Sequence, residues 1–171
     1  GYRETVRRVS MEYTETQFAL INDKELGQLN ISNVFFREDQ GAYLAGVLAA
    51  LQSKRKSVAF IGSEPELLDS FRSGVRAVSK KVRVINISYP DEISEVSARL
   101  EAVDIAYSTW DGDASILSLI LEKYRGKVRV IVETPDQYFA TLTNLSPIIL
   151  ASINKSLTKP INQLVKAALA D

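Results

Sequence analysis

Cysteine and histidine are both absent from the 171 residues. That removes thiolate chemistry, disulfides, a Ser-His-Asp arrangement and the usual zinc ligands together. An enzyme built on this chain would have to work with carboxylates, lysine or hydroxyls, and no metal or cofactor is expected. Neither sign of charge predominates, since Lys plus Arg and Asp plus Glu number 21 each. The chain as a whole therefore offers no field to nucleic acid, and a nucleic-acid partner is not expected. No apolar stretch approaches the ~20 residues needed to span a bilayer. Methionine occurs once, as Met11, and the first residue is Gly1, a start compatible with a removed export signal.

What is present is a regular alternation. From Ser57 onward the sequence reads strand Val58 to Ile61, helix Glu66 to Lys80, strand Val82 to Ser88, helix Ile93 to Ala102, strand Asp104 to Thr109, helix Ala114 to Tyr124 and strand Val128 to Val132. Strands rich in Val and Ile without polar alternation are buried on both faces, as parallel strands between helix layers are. Right-handed crossovers then predict a four-stranded parallel sheet in the order second, first, third, fourth.

Before this repeat, Tyr2 to about Met11 suits a short helix, Gln17 to Asn22 a buried strand and Val34 to Arg37 a second short strand. Asp39 stands at a natural N-cap, with Tyr43, Leu44, Val47, Leu48 and Leu51 following at helical spacing. Small residues between them, among them Gly46 and Ala49, suit close packing. After the repeat, Tyr138 to Thr143 reads as a strand and Ile148 to Ser156 as a helix opened by Pro147. Pro160 is expected to break or kink that helix before Ile161 to Ala170.

In an open parallel sheet, ligands bind beyond the carboxyl ends of the strands where the strand order reverses. Here the reversal falls between the strand ending at Gly62-Ser63-Glu64 and the one ending at Trp110-Asp111-Gly112-Asp113. An aromatic face beside carboxylate acceptors suits a base or a sugar bearing hydroxyls. The plainer alternative is that Trp110 covers an apolar edge and Asp113 caps the next helix. Phe35, Phe36 and Tyr43 belong either to the opposite wall of a cleft or to the core. The turn IGSEPE is neither a GxGxxG nor a Walker motif, and Glu64 and Glu66 would repel phosphate. A carboxylate pair for hydrolysis drawn from Asp111, Asp113 and Asp136 has no supporting spacing.

The wording of one segment carries a resemblance. The run NVFFREDQGAYLAGVLAALQSKRKSVAFIGSEPELLDSFRSGVRA, Asn33 to Ala77, resembles the basic membrane protein family, bacterial lipoproteins that include purine nucleoside receptors of ABC transporters. The likeness extends from about Gln17 to about Ser152. KSVAFIGSEPELLDSFRSGVRA is similar to the family's KVGFVGG-type start of the second lobe, and IVETPDQ to its IGVDxDQ strand end. It implies a periplasmic-binding-protein-like α/β fold, with a Rossmann-like parallel sheet flanked by helices and a second, reduced lobe. Ser57 to Gln137 would form the nearly complete lobe, and residues 1–56 with 138–171 the reduced one.

The resemblance also implies an exported, extracytoplasmic, lipid-anchored receptor that delivers a nucleoside-like solute to an ABC permease and is not an enzyme. By the resemblance together with the crevice argument, the ligand-binding set is Phe36, Ser63, Trp110, Asp111, Thr134 and Asp136. Thr134 stands where the family's ligand-contacting Asp is expected, Val132 where a Gly is, and Pro147 near an expected basic residue. These departures point to a degenerate or altered pocket. A regulatory or protein-interaction module on the same scaffold is the alternative. An open edge in the reduced lobe, finally, favours a two-fold homodimer.

Overall fold

The structure is a computed structural model that describes residues 2–21, 27–88, 93–109, 115–133 and 146–169. It separates into two compact units, Gly1–Arg37 with Lys155–Asp171, and Glu38–Asn154.

The first unit holds helix α1 (Arg3–Glu12), strands β1 (Phe18–Ile21) and β2 (Ile31–Val34), and, from the chain's other end, helix α6 (Thr158–Ala168). β1 and β2 form a two-stranded parallel sheet, Phe18 opposite Ile31 and Ile21 opposite Val34. The second strand thus lies three residues earlier than the expected Val34 to Arg37, which leaves Phe35 to Arg37 outside it. Pro160 does not break a helix; it sits in the first turn of α6, where a missing N–H has no intrahelical partner to lose.

The second unit is the alternating domain. Its elements are α2 (Glu38–Gln52), β3 (Ser57–Ile61), α3 (Pro65–Val78), β4 (Arg83–Ile87), α4 (Ile93–Leu100), β5 (Ile105–Ser108), α5 (Ser115–Tyr124), β6 (Arg129–Val132) and β7 (Ile149–Ser152). The strands form one parallel sheet in the order β4-β3-β5-β6-β7. Four of them follow the predicted order. The fifth corrects the expected helix from Ile148: only a single 3₁₀ turn, Ser146–Ile148, precedes β7. The apolar run Ile148 to Ala151 has a free sheet edge to pair with, and edge pairing outweighs a helical preference in so short a piece. The expected strand Tyr138 to Thr143 lies outside the described residues. The unit runs from Glu38 to Asn154, with α2 and β7 packed with the sheet.

Strand alternation sends neighbouring side chains to opposite faces. Val58, Phe60, Ile105, Tyr107 and Ile131 meet α2 and α3. Ala59, Ile61, Ala106, Val130 and Val132 meet α4 and α5 through Val96, Leu100, Ile120 and Tyr124. Within the first core, Phe60, Phe71 and Tyr107 form a ring cluster with centroids 5.4–5.9 Å apart, Phe71 and Tyr107 stacked at 21°.

α2 packs by its small residues. Ala42, Ala45, Gly46, Ala49 and Ala50 are buried, while Tyr43, Leu44 and Leu51 of the larger stripe lie at the surface. The reason is reciprocal backbone contact. A Cβ on Gly46 would lie 2.1 Å from the Phe71 carbonyl oxygen, and one on Gly74 would lie 2.0 Å from that of Tyr43. Only glycine at both positions lets the two helices approach this closely.

Candidate functional site at the carboxyl ends of the strands

β3 and β5 are neighbours, with β4 on one side and β6 on the other. The reversal of strand order therefore falls where the sequence placed it. Here the chain turns out of β3 through Gly62, Ser63 and Glu64 into α3. The Thr109 amide donates to the Ile61 carbonyl at 2.9 Å, and its hydroxyl donates to Glu64 Oε2 at 3.0 Å. Gly62 makes this possible, since a Cβ there would stand 2.0 Å from Thr109 Oγ1. Glu64 occupies the N-cap of α3 but makes no side-chain capping bond; its carboxylate is turned to Thr109 instead. Ser63 is exposed at the turn.

On the α2/α3 side of the same sheet end, the buried Tyr107 hydroxyl donates to the carboxylate of Glu133, also buried. Burial first, and then the adjoining Glu133 carboxylate, hold the Tyr107 phenol above its usual range, with Glu38 and Glu64 adding to the effect. The phenol therefore stays protonated and acts as a donor. Glu38 lies in the first turn of α2 and Glu64 at the start of α3, where the positive ends of the helix dipoles favour negative charge.

The strand ends thus present Glu38, Glu64 and Glu133, and the described segments 38–41, 62–66, 108–109 and 132–133 contain no Lys or Arg. Carboxylates accept hydrogen bonds from hydroxyl, amine or imino groups and disfavour phosphate; that of Glu133 is buried against Tyr107 and that of Glu64 accepts from Thr109. No group of three or more acidic side chains among the described residues is placed to hold a metal ion.

Of the residues expected to bind ligand, Ser63 stands at this end. Phe36 is half-buried after β2 in the first unit, and Phe35 and Tyr43 are exposed, so neither of the latter is core. Trp110, Asp111, Thr134 and Asp136 lie outside the described residues. Tyr107, Thr109 and Glu133 were missed. A signal existed, because Tyr107 stands two residues after Ile105 and Glu133 two after Ile131, polar-tipped positions that alternation sends to one face. A separate groove of about 590 Å³ runs between α2 and α3, lined by residues such as Asp39, Tyr43, Leu44 and Asp69; no strand end contributes to it.

Residues 1–118 match the family described as ABC transporter substrate-binding protein PnrA-like, or Bmp. Among curated relatives, basic membrane protein A2 of Borrelia garinii subsp. bavariensis is 32% identical over 63% of this chain and 35% of its own length. The ABC transporter nucleoside-binding protein BmpA of Lactococcus lactis subsp. cremoris is 26% identical over 57% of this chain and 29% of its own. The chain spans about a third of the length of the curated relatives it matches. Two solved structures share the fold. A transcriptional activator of the comK gene from Bacillus halodurans aligns with TM-score 0.66 at 20% identity, over 80% of this chain and 50% of that one. A glucose-galactose binding protein from Geobacillus stearothermophilus aligns with TM-score 0.59 at 15% identity, over 95% and 65%.

Proposed function

The chain belongs to the Bmp family of PnrA-like ABC transporter substrate-binding proteins, and from that premise we propose that it is the sheet-bearing part of an exported, non-catalytic receptor for a nucleoside or a similar neutral solute. The observation that carries the reading is the gathering of Glu38, Glu64 and Glu133 about Tyr107 at the reversal of strand order, where the described segments 62–66, 108–109 and 132–133 hold no Lys or Arg. Carboxylates there favour a ligand rich in hydroxyl and ring N–H donors over a phosphorylated one. The nucleoside-binding relative from Lactococcus supports the class of solute. In this reading Trp110 and Asp111 contact the ligand, Ser63 and Thr134 form the rim, Phe36 and Asp136 contribute from the flanking segments, and an ABC permease receives the solute. A lipid anchor upstream would hold the receptor at the membrane.

Calorimetry with purine and pyrimidine nucleosides tests this. A nucleoside should bind at least ten times more tightly than its monophosphate, and Trp110→Ala should abolish the difference. A hit that binds Trp110→Ala unchanged would put the ligand elsewhere. Thr134→Asp should tighten nucleoside binding by about one to two decades, the worth of a charge-assisted hydrogen bond of roughly 1.5–3 kcal/mol.

The homodimer belongs to the same proposal. α6 has no buried residue, and Ile161, Val165 and Leu169 are exposed along it, an apolar face suited to self-association. Light scattering over a concentration series should show a dissociable dimer, and a monomer of 19.0 kDa at every concentration would end that part of the reading.

A further inference from the structure

The net charge of zero conceals a segregation. The amino-end face of the sheet in the second unit, opposite the acidic strand ends, is basic. β3 is preceded by exposed Lys54, Arg55 and Lys56. The turn into β4 carries exposed Lys80 and Lys81, and the strand opens with exposed Arg83. Before β6 come Lys123, Arg125 and Lys127, and Arg129 opens it; all four are exposed. Against them stand Glu101, Asp104 and Glu122.

Helix dipoles account for only part of this. A cation in the last turn of a helix complements its negative end, and the effect fades within that turn. Lys123 of α5 fits that role, but Lys56, Arg83, Lys127 and Arg129 lie beyond any helix end.

The turns are also fixed to one another. The Asp104 carboxylate accepts from Ser53 Oγ at 2.6 Å and from the amides of Lys54 and Arg55 at 2.6 and 3.0 Å, which holds the first basic turn in place. Arg83 donates its amide to the Lys56 carbonyl at 2.9 Å, and Arg129 donates its amide to the Asp104 carbonyl at 2.9 Å. Strand starts lie about 4.8 Å apart across a sheet, so the cations fall into two groups on one face, at the adjacent starts of β4 and β3 and at the start of β6, with the start of β5 at Asp104 between them. A cavity of about 440 Å³ opens on the same face, with Arg55, Lys123 and Lys127 in its lining and Glu101 as its acid.

We propose that this face docks on an anionic bilayer surface, with the Arg55–Lys123–Lys127 cavity receiving a phosphate headgroup. Exposed cations in fixed turns on one face suit a planar sheet of lipid phosphates, each cation adding to the attraction within a Debye length of the surface. The acidic opposite end is then directed away from the lipid, so the unit binds in one orientation. Nucleic acid is the less suited polyanion, because Tyr124, the aromatic residue of this cavity, is buried and offers no ring for base stacking. The inference rests on the reading above in one respect, that the protein works beside a membrane.

The test is co-sedimentation of the full chain with vesicles of phosphatidylcholine alone, or mixed in equal parts with phosphatidylglycerol. Binding is expected on the mixed vesicles only, and it should vanish as salt rises from about 0.05 to about 0.5 M. The variant Lys54→Glu/Lys56→Glu/Lys127→Glu should bind at least tenfold more weakly while keeping the wild-type circular dichroism spectrum and solute binding. Equal binding by the variant, or none by the wild type at low salt, overturns the proposal. Tighter binding to duplex DNA than to mixed vesicles would assign the face to nucleic acid and overturn it equally. Solute binding measured on the same samples keeps the two readings apart, since a chain that binds vesicles but no nucleoside refutes only the solute class.

Discussion

The two units contain the same kind of strand pairing in different surroundings. β3 and β5 are buried at every position, whereas β1 buries only Leu20 and β2 only Val34. Parallel pairing contributes similar backbone hydrogen bonds in both units; the difference lies in what covers the faces. In the second unit two helix layers exclude water from both sides of the sheet, so each side chain adds apolar burial worth about 25 cal/mol per Å². The first unit is held more by polar stitching. Asn30 Nδ2 donates toward the carbonyls of Ser10, Thr16 and Tyr13 at 2.9, 3.1 and 3.2 Å, tying the end of α1 to the turn before β2. Strand pairing without covered faces makes a structure whose local stability is low.

The largest effect is expected where the second unit is most tightly packed. Phe71→Ala removes the ring that stacks on Tyr107 and should cost about 3–5 kcal/mol, read as a lower midpoint in urea unfolding. Gly46→Ala forces a methyl into the Phe71 carbonyl and should cost about 3 kcal/mol; a loss below 0.5 kcal/mol, roughly the level of an ordinary surface substitution, would show that the helices can separate freely. Tyr107→Phe deletes the hydroxyl that Glu133 accepts from, and should cost about 1.5–3 kcal/mol with the ring packing unchanged.

In the first unit Asn30→Ala should cost only about 1 kcal/mol. Hydrogen exchange should show its effect confined to amides of α1, β1 and β2. If that substitution instead destabilises β3 and β5 as much as Phe71→Ala does, the contrast between the units is wrong.

How much of this was legible in advance depended on the signal. The alternation after Ser57 gave the sheet, its order and the position of the reversal, because two-sided burial writes continuous runs of Val and Ile into each strand. β7 was misread because Ile148 to Ala151 is too short for a period to decide between helix and strand. In α2 the small residues were expected to pack closely, and they do: Ala42, Ala45, Gly46, Ala49 and Ala50 are buried, with Gly46 against the backbone of α3. The position of Ser63 at a strand end was legible from the Gly62 turn, while Glu133 was passed over because a carboxylate after an aliphatic run looks like a solvated loop.

Order along the chain, then, was set by the sequence itself. Periodicity and turn residues are local properties, and the crossover rule converts them into one sheet topology. Only the tertiary structure decided that Gly46 of α2 meets the backbone of α3 and Gly74 of α3 that of α2, that Tyr107 donates to Glu133 across two strands, and that the described sheet of the second unit gathers acidic residues at one end and basic ones at the other. Each of these depends on residues far apart in sequence meeting at a distance of a few ångströms. Composition sums charges, whereas a parallel sheet sorts them, sending every strand start to one end and every strand finish to the other.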